Sequence, residues 1–124
     1  MGMKPTKKRL INKNDELARR INLLVHKNMC CRCGRSGDVY KLDWSHVFGR
    51  STKVLRWEED NGMLHCFTCH AWWHDNPLVA AEWFESQYPG RKARLQEKLN
   101  LAHPMKLKDY QDINDQLTKR LAEL

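Results

Sequence analysis

The chain contains no uninterrupted apolar run approaching the ~18 residues of a membrane span, and its mean hydropathy is -0.76. A transmembrane helix is therefore excluded. Behind the basic start, Met1 to Arg9, there is no apolar stretch either. No secretory signal is expected, and a reducing cytoplasm is the expected setting. Internal repeats and low-complexity tracts are also missing, so no repeat array is expected. Acidic residues are the scarcer charge, 15 against 22 Lys and Arg, leaving +7. That balance favours a polyanionic partner, nucleic acid or anionic membrane. The 124 residues fit one domain with a modest core, a size at which a structural metal would help. Five cysteines are an odd count, and in a reducing compartment they read as metal ligands rather than as a disulfide framework.

The charge is unevenly placed. Residues 1–35 carry ten basic and two acidic side chains, residues 36–74 four and five, and residues 75–124 eight of each. The excess thus lies before Ser36. The first dozen residues, with Pro5, Lys7, Lys8 and Arg9, read as a flexible basic arm. From Asn12 or Asn14, plausible N-caps, the spacing of Leu17, Ile21, Leu24 and Val25 predicts a helix with one buried and one basic face. A strand is expected over residues 39–48, a long polar loop over 49–62, and a short second strand over 63–65. Helices follow over 66–74, from Asn76-Pro77 to Tyr88, over 93–101 and over 109–124. In the last, Tyr110, Ile113, Leu117, Leu121 and Leu124 form a stripe better read as core than as a dimer seam.

Cys30 and Cys33 form one C-x-x-C and Cys66 and Cys69 a second. Two intervening residues let a tight knuckle aim two sulfurs at one ion, and two knuckles complete a tetrahedral site. Structural zinc is the expectation. The 32 residues between the knuckles exceed ordinary finger spacing, so something is inserted into the clamp. Cys31 is the spare cysteine, and a Cys31/Cys33 pairing stays open, as do buried free thiols or a redox pair.

Between the knuckles and just after them lie His46, Asn61, His70 and His74, with Asn61 15 residues after His46, His70 nine further on and His74 four beyond that. Helix positions four apart share a face, so His70 and His74 can present imidazoles to one metal. The His-x-x-x-His zinc proteases need Glu after the first His, but here the residue is Ala71. The segment Asp43-Trp-Ser-His46, the Asp60-Asn61-Gly62 loop end and Cys66-x-x-Cys69-His70-x-x-x-His74 resemble the signature of the HNH nucleases, the His-Me finger or ββα-metal group. Their spacings are similar to those of the bacterial toxin nucleases of that family. The resemblance covers about residues 30 to 76, and many HNH enzymes carry the same two zinc knuckles.

The resemblance implies an α+β fold: a small ββα-metal core with a four-cysteine zinc site over residues 29–76, a basic arm and helix over 1–28, and C-terminal helices over 77–124 packing on that core. It also implies a metal-dependent endonuclease that hydrolyses DNA phosphodiester bonds. His46 would be the general base, and Asn61 would hold the loop and orient the His46 ring. His70 and His74 would bind one divalent cation, Mg²⁺, Mn²⁺, Ni²⁺ or Zn²⁺. A histidine with an ordinary pKa of ~6.5 suits the base at neutral pH. The residue before the base is commonly a metal ligand in that family, but here it is Ser45. Asp43, on the same strand face by period two, is the expected third ligand, with Ser45 the runner-up.

Lys7, Lys8, Arg9, Arg50, Lys53 and Arg56 are the expected phosphate contacts. DNA is the expected partner and a membrane is not. The chain is expected to be a monomer or weak dimer. Small free-standing HNH proteins of this kind resemble those of bacteriophages, so by analogy the other partners are phage recombination or packaging proteins, in a host cytoplasm. The rival from another class is a non-catalytic zinc-ribbon nucleic-acid-binding protein, and a third is an adaptor using the C-terminal helices.

Overall fold

A computed structural model describes residues 6–124. It is an α+β structure of six helices and one two-stranded antiparallel sheet. The helices are α1 (Lys7–Val25), α2 (Lys53–Arg56), α3 (Phe67–Asp75), α4 (Pro77–Gln87), α5 (Arg91–Asn100) and α6 (Leu107–Ala122), and the strands are β1 (Leu42–His46) and β2 (Gly62–Cys66). Among the described residues, no helix is long and apolar enough to cross a membrane.

The expected basic arm is helix from Lys7 onward, and its first five residues lie outside the described ones. Thr6 caps α1 by accepting from the Arg9 N–H at 3.2 Å. Lys7, Lys8 and Arg9 are good helix formers, and Leu10 extends the buried stripe through Ala18 and Ile21. The partner that rewards this extra length is α6, remote in sequence, whose Tyr110 and Leu117 join Leu10, Ala18, Ile21 and Trp57 in one core cluster. Ile113 and Leu121 pack on that cluster while Leu124 stays exposed. Asn14 is no cap: it is fully buried, its amide donating to the Tyr110 carbonyl at 3.1 Å and accepting from Asn114 at 3.0 Å.

A second cluster comprises Cys30, Leu42, Leu64, Cys66 and Cys69. The sheet pairs Leu42 with Cys66, Asp43 with His65 and His46 with Gly62. The expected loop over 49–62 is broken by α2 and by a 3₁₀ turn, Glu59–Asn61. Leu55 of α2 and the adjacent Trp57 are buried, which gives this polar stretch the apolar anchors that a free loop lacks. Gly62 allows a close approach, since a Cβ there would lie 2.6 Å from the Asn22 side chain of α1. The segment α4–α5 turns at Gly90, which is left-handed at φ 78°.

Candidate functional site

Cys30, Cys33, Cys66 and Cys69 bring their sulfurs within 4.8 Å of one another. The first knuckle closes through Gly34, left-handed at φ 78°, whose N–H donates to the Cys30 carbonyl at 2.9 Å. The second is the end of β2 and the first turn of α3. The Cys31 N–H donates to the Leu64 carbonyl at 2.8 Å, tying the first knuckle to β2. Two sulfurs each ~2.3 Å from one tetrahedral ion stand about 3.8 Å apart, and Cys33 and Cys66 lie 3.6 Å apart. The four cysteines can therefore hold a structural metal ion. Burial pushes the Cys31 thiol up to about 12, and it stays outside the cluster, which removes the Cys31/Cys33 pairing.

The sulfurs also have cationic neighbours. Arg32 donates to Cys69 Sγ at 3.5 Å while stacking 3.7 Å above the Trp72 ring, and Arg35 donates to Cys66 Sγ at 3.7 Å. Burial opposes ionisation of Cys66, but N–H and S–H donors from Cys69, with Cys33 and Arg35, hold its thiol down at about 6.

The imidazoles of α3 stand one turn apart. His70 Nε2 and His74 Nε2 are 3.0 Å apart, and the other nitrogen of His70, Nδ1, lies 3.2 Å from Asp43 Oδ2. A carboxylate only accepts, so His70 Nδ1–H donates to Asp43, and Nε2 is the ring nitrogen turned to His74. At 3.0 Å the two ring nitrogens are within hydrogen-bond distance of each other, close enough that a small separation to the ~3.4 Å of two nitrogens on one tetrahedral ion would let both bind it. The placement corrects the expected third ligand. Asp43 engages the far nitrogen of His70 and orients that ring, as partners of metal-binding histidines do. Among the described residues, the only group of three or more His, Cys, Asp or Glu converging on one point is the cysteine cluster. Ser45 does not take the place of Asp43: its hydroxyl lies 2.7 Å from His65 Nδ1, both side chains buried.

His46 ends β1 with its ring 4.2 Å from that of Trp44. Burial, then the charges of Arg50 and Arg56, push its pKa down to about 4, so the ring is neutral at neutral pH. Nε2 is enclosed without a hydrogen-bond partner. Asn61 is fully buried and acts on the backbone after His46. Its amide donates to the Phe48 carbonyl at 3.1 Å and accepts from the Phe48 N–H at 2.8 Å, while its own carbonyl accepts from Val47 N–H at 2.9 Å. It thus ties down the backbone at Val47 and Phe48, and none of these hydrogen bonds goes to the His46 ring. Asn61→Ala leaves both Phe48 backbone groups unpaired in a part-buried setting. We expect a loss of about 2–4 kcal/mol in urea denaturation, from two polar groups at ~1–3 kcal/mol each, part of it recovered by water.

The basic residues divide. Arg56 is bound bidentately to Asp15 of α1, at 2.9 and 2.6 Å, and Trp57 Nε1 donates to the same carboxylate at 2.8 Å. The Arg56 side chain is only 13 % exposed, so it is a structural brace and not an open phosphate contact. Arg50, with its side chain 60 % exposed, touches Asp15 through one nitrogen at 3.1 Å. Lys53 is half-buried, and Lys7, Lys8 and Arg9 are exposed along α1. Asp15 has no local sequence signal, because its partners lie 35 to 42 residues away.

His46, Gly49 and His74 line two adjoining cavities. One, of about 300 Å³, adds Trp44, Ser45, Arg50 and His70. The other, of about 320 Å³, is walled by Val47, Trp73, Phe84 and other apolar residues, with Lys92 at its edge. Candidate base, paired imidazoles and a cation thus meet at one opening.

Acid should loosen this arrangement. Like His46, His65 is buried and held near 4, by burial first and then by neighbouring cationic groups. Above pH ~6.5 both are neutral whether folded or not. Between ~6.5 and 4 the unfolded chain binds protons that the folded chain does not, so stability falls as pH falls. At ~1.4 kcal/mol per pH unit per proton, each ring accounts for about 3 kcal/mol by pH 4. Urea midpoints across this window should show it, and His46→Gln should flatten the slope by about one proton.

Compared with models of known families, with characterised proteins and with solved structures, the chain matches none.

Proposed function

We propose that this protein is a metal-dependent endonuclease of the HNH type that hydrolyses DNA phosphodiester bonds. One observation carries the reading: a neutral histidine, His46, opens on the same cavity as the facing Nε2 atoms of His70 and His74. Hydrolysis of a phosphodiester needs a proton acceptor for water and positive charge at the phosphate. His46 is the acceptor. With Nε2 enclosed, Nδ1 is the ring nitrogen left to meet a water. His70 and His74 are the residues that would hold a divalent cation, which when bound supplies charge at the phosphate and the leaving oxygen. Asp43 keeps the proton of His70 on Nδ1, so that Nε2 offers its lone pair. Asn61 pins the backbone at Phe48 and with it the end of β1. Zinc in the four-cysteine cluster would clamp α3 against the sheet. Arg50, Lys53 and the exposed basic residues of α1 supply backbone contacts without sequence choice.

A non-catalytic zinc-ribbon nucleic-acid-binding protein would use the same clamp and charge, yet leaves the Asp43–His70–His74 chain beside His46 without a joint task. The experiment is a supercoiled-plasmid assay with Mg²⁺, Mn²⁺, Ni²⁺ and Zn²⁺ in turn and with EDTA. Nicked or linear product with at least one metal and none with EDTA is expected. Binding without cleavage under every metal would transfer the assignment to the zinc-ribbon class.

A further inference from the structure

The nuclease reading uses the cavity that holds Arg50 and leaves unassigned its neighbour, which is lined by aliphatic and aromatic side chains of α4 as well as by His46 and His74. That neighbour has about 320 Å³, at the small end of the ~300–1,000 Å³ range of ligand pockets. Its walls include Val47, Trp73, Pro77, Ala80 and Phe84, together with His46 and His74. Trp73 is half-buried, packed edge-on against Phe84 and Trp83 at 5.9 and 6.4 Å, and is therefore held rigidly. Lys92 is exposed at the rim, and among the described residues it has no carboxylate partner within ion-pair distance. The pocket therefore combines an apolar wall with two imidazoles and one cation, Lys92, and Arg50 lines the adjoining cavity that shares His46.

A phosphate has no use for an apolar cavity, and the outer backbone of an intact duplex offers nothing to fill one. A nucleobase does fit that chemistry: it has flat apolar faces, stacks on aromatic rings, and is tethered to phosphates that cations hold. We propose that this cavity is a nucleobase subsite, receiving the base of one unstacked nucleotide next to the phosphate held at His46. Trp73 provides the stacking or edge contact. Lys92 and Arg50 take the phosphates on either side, so the strand runs across the opening with one base turned inward. This rests on the nuclease reading for the position of the phosphate. It adds a preference for nucleic acid with at least one unpaired nucleotide, for which unstacking is already done.

The test is equilibrium binding of the zinc-containing protein, without added divalent cation, to a duplex that is fully paired and to the same duplex with one unpaired 2-aminopurine. A changed 2-aminopurine emission on binding is expected. Trp73→Ala should weaken binding of the unpaired substrate about 5- to 150-fold, the ~1–3 kcal/mol of one base–aromatic contact, and binding of the paired duplex less than twofold. Ala81→Phe, which adds bulk in the same cavity and keeps Trp73, should reproduce the loss, so the result does not depend on the fold tolerating Trp73→Ala. Equal weakening of both substrates by Ala81→Phe, or none, overturns the subsite. The two readings fail separately. A wild type that nicks plasmid but shows no selective loss keeps the nuclease and rejects the subsite. One that never nicks but shows the selective loss keeps the subsite and rejects the nuclease.

Discussion

His46→Ala should lower plasmid cleavage by about 10²–10⁴-fold, the usual contribution of a positioned general base, with metal content and fold retained. Retention is expected because the polar neighbour of the His46 ring is the Arg56 backbone, and Arg56 is held independently by its ion pair with Asp15. The four cysteines and Asn61 do the holding nearby. His70 and His74 also stay in place, since their alignment comes from α3 and Asp43. Cleavage should thus fall without a matching loss of divalent-cation binding. Asp43→Ala should behave in the opposite way: losing the carboxylate behind a metal-binding histidine typically weakens metal binding ~10–100-fold, so excess metal should restore its cleavage. The measurement is cleavage rate against metal concentration for both variants, with elemental zinc alongside. A His46→Ala protein that cuts plasmid at the wild-type rate would show that another group takes the proton from water.

Stripping the metal from the cysteine cluster should unfold the site half of the molecule. Structural zinc contributes apparent free energies of ~10–16 kcal/mol in small zinc domains, and the whole stability of an ordinary domain is ~5–15 kcal/mol. Here the cluster of Cys30, Leu42, Leu64, Cys66 and Cys69 includes only two apolar side chains that are not cysteine, and β1 and β2 have no third strand among the described residues, so the pair is marginal without the helices packed on it. The α1–α6 pair has its own core in Leu10, Ala18, Ile21, Tyr110 and Leu117 and should keep part of its helicity. The expected result of chelation is partial loss of far-ultraviolet helical signal and full loss of the near-ultraviolet tryptophan signal from Trp72 and Trp73 of α3 and Trp83 of α4, which pack on one another. Elemental analysis of the purified protein should find about one zinc per chain. Less than half an equivalent, with a fold unchanged by chelation, would remove zinc from the account.

What was legible before folding was local. The two C-x-x-C knuckles, the four-residue step from His70 to His74 and the stripe of α6 all depend on spacing within one turn or one helix, and the structure brings these residues together accordingly. The roles that were misread depend on partners far away in the chain. Lys7 to Arg9 carry charge enough for an arm, but the burial of Leu10 against α6 makes them helix. Asn14 has the chemistry of a cap and becomes an interhelical tie because Tyr110 and Asn114 lie against it.

Sequence alone determined the ligand chemistry of this protein: that two cysteine knuckles can share an ion, which imidazoles lie on one face, and which third of the chain carries the charge; the structure chose Cys30 over Cys31. Tertiary structure alone decided how each polar group is used. Arg56 is occupied because Asp15 of α1 arrives beside it, Asp43 stands behind His70 instead of joining it, and Ser45 is taken by His65. The apolar cavity beside His46 exists only because α4 and α5 bring Phe84 and Lys92 to it. The physical reason is common to all of these. Ligand spacing is set by covalent geometry over a few residues, whereas desolvation and hydrogen-bond pairing are settled by whichever side chain the packed chain places within 3 Å or so, the reach of a hydrogen bond.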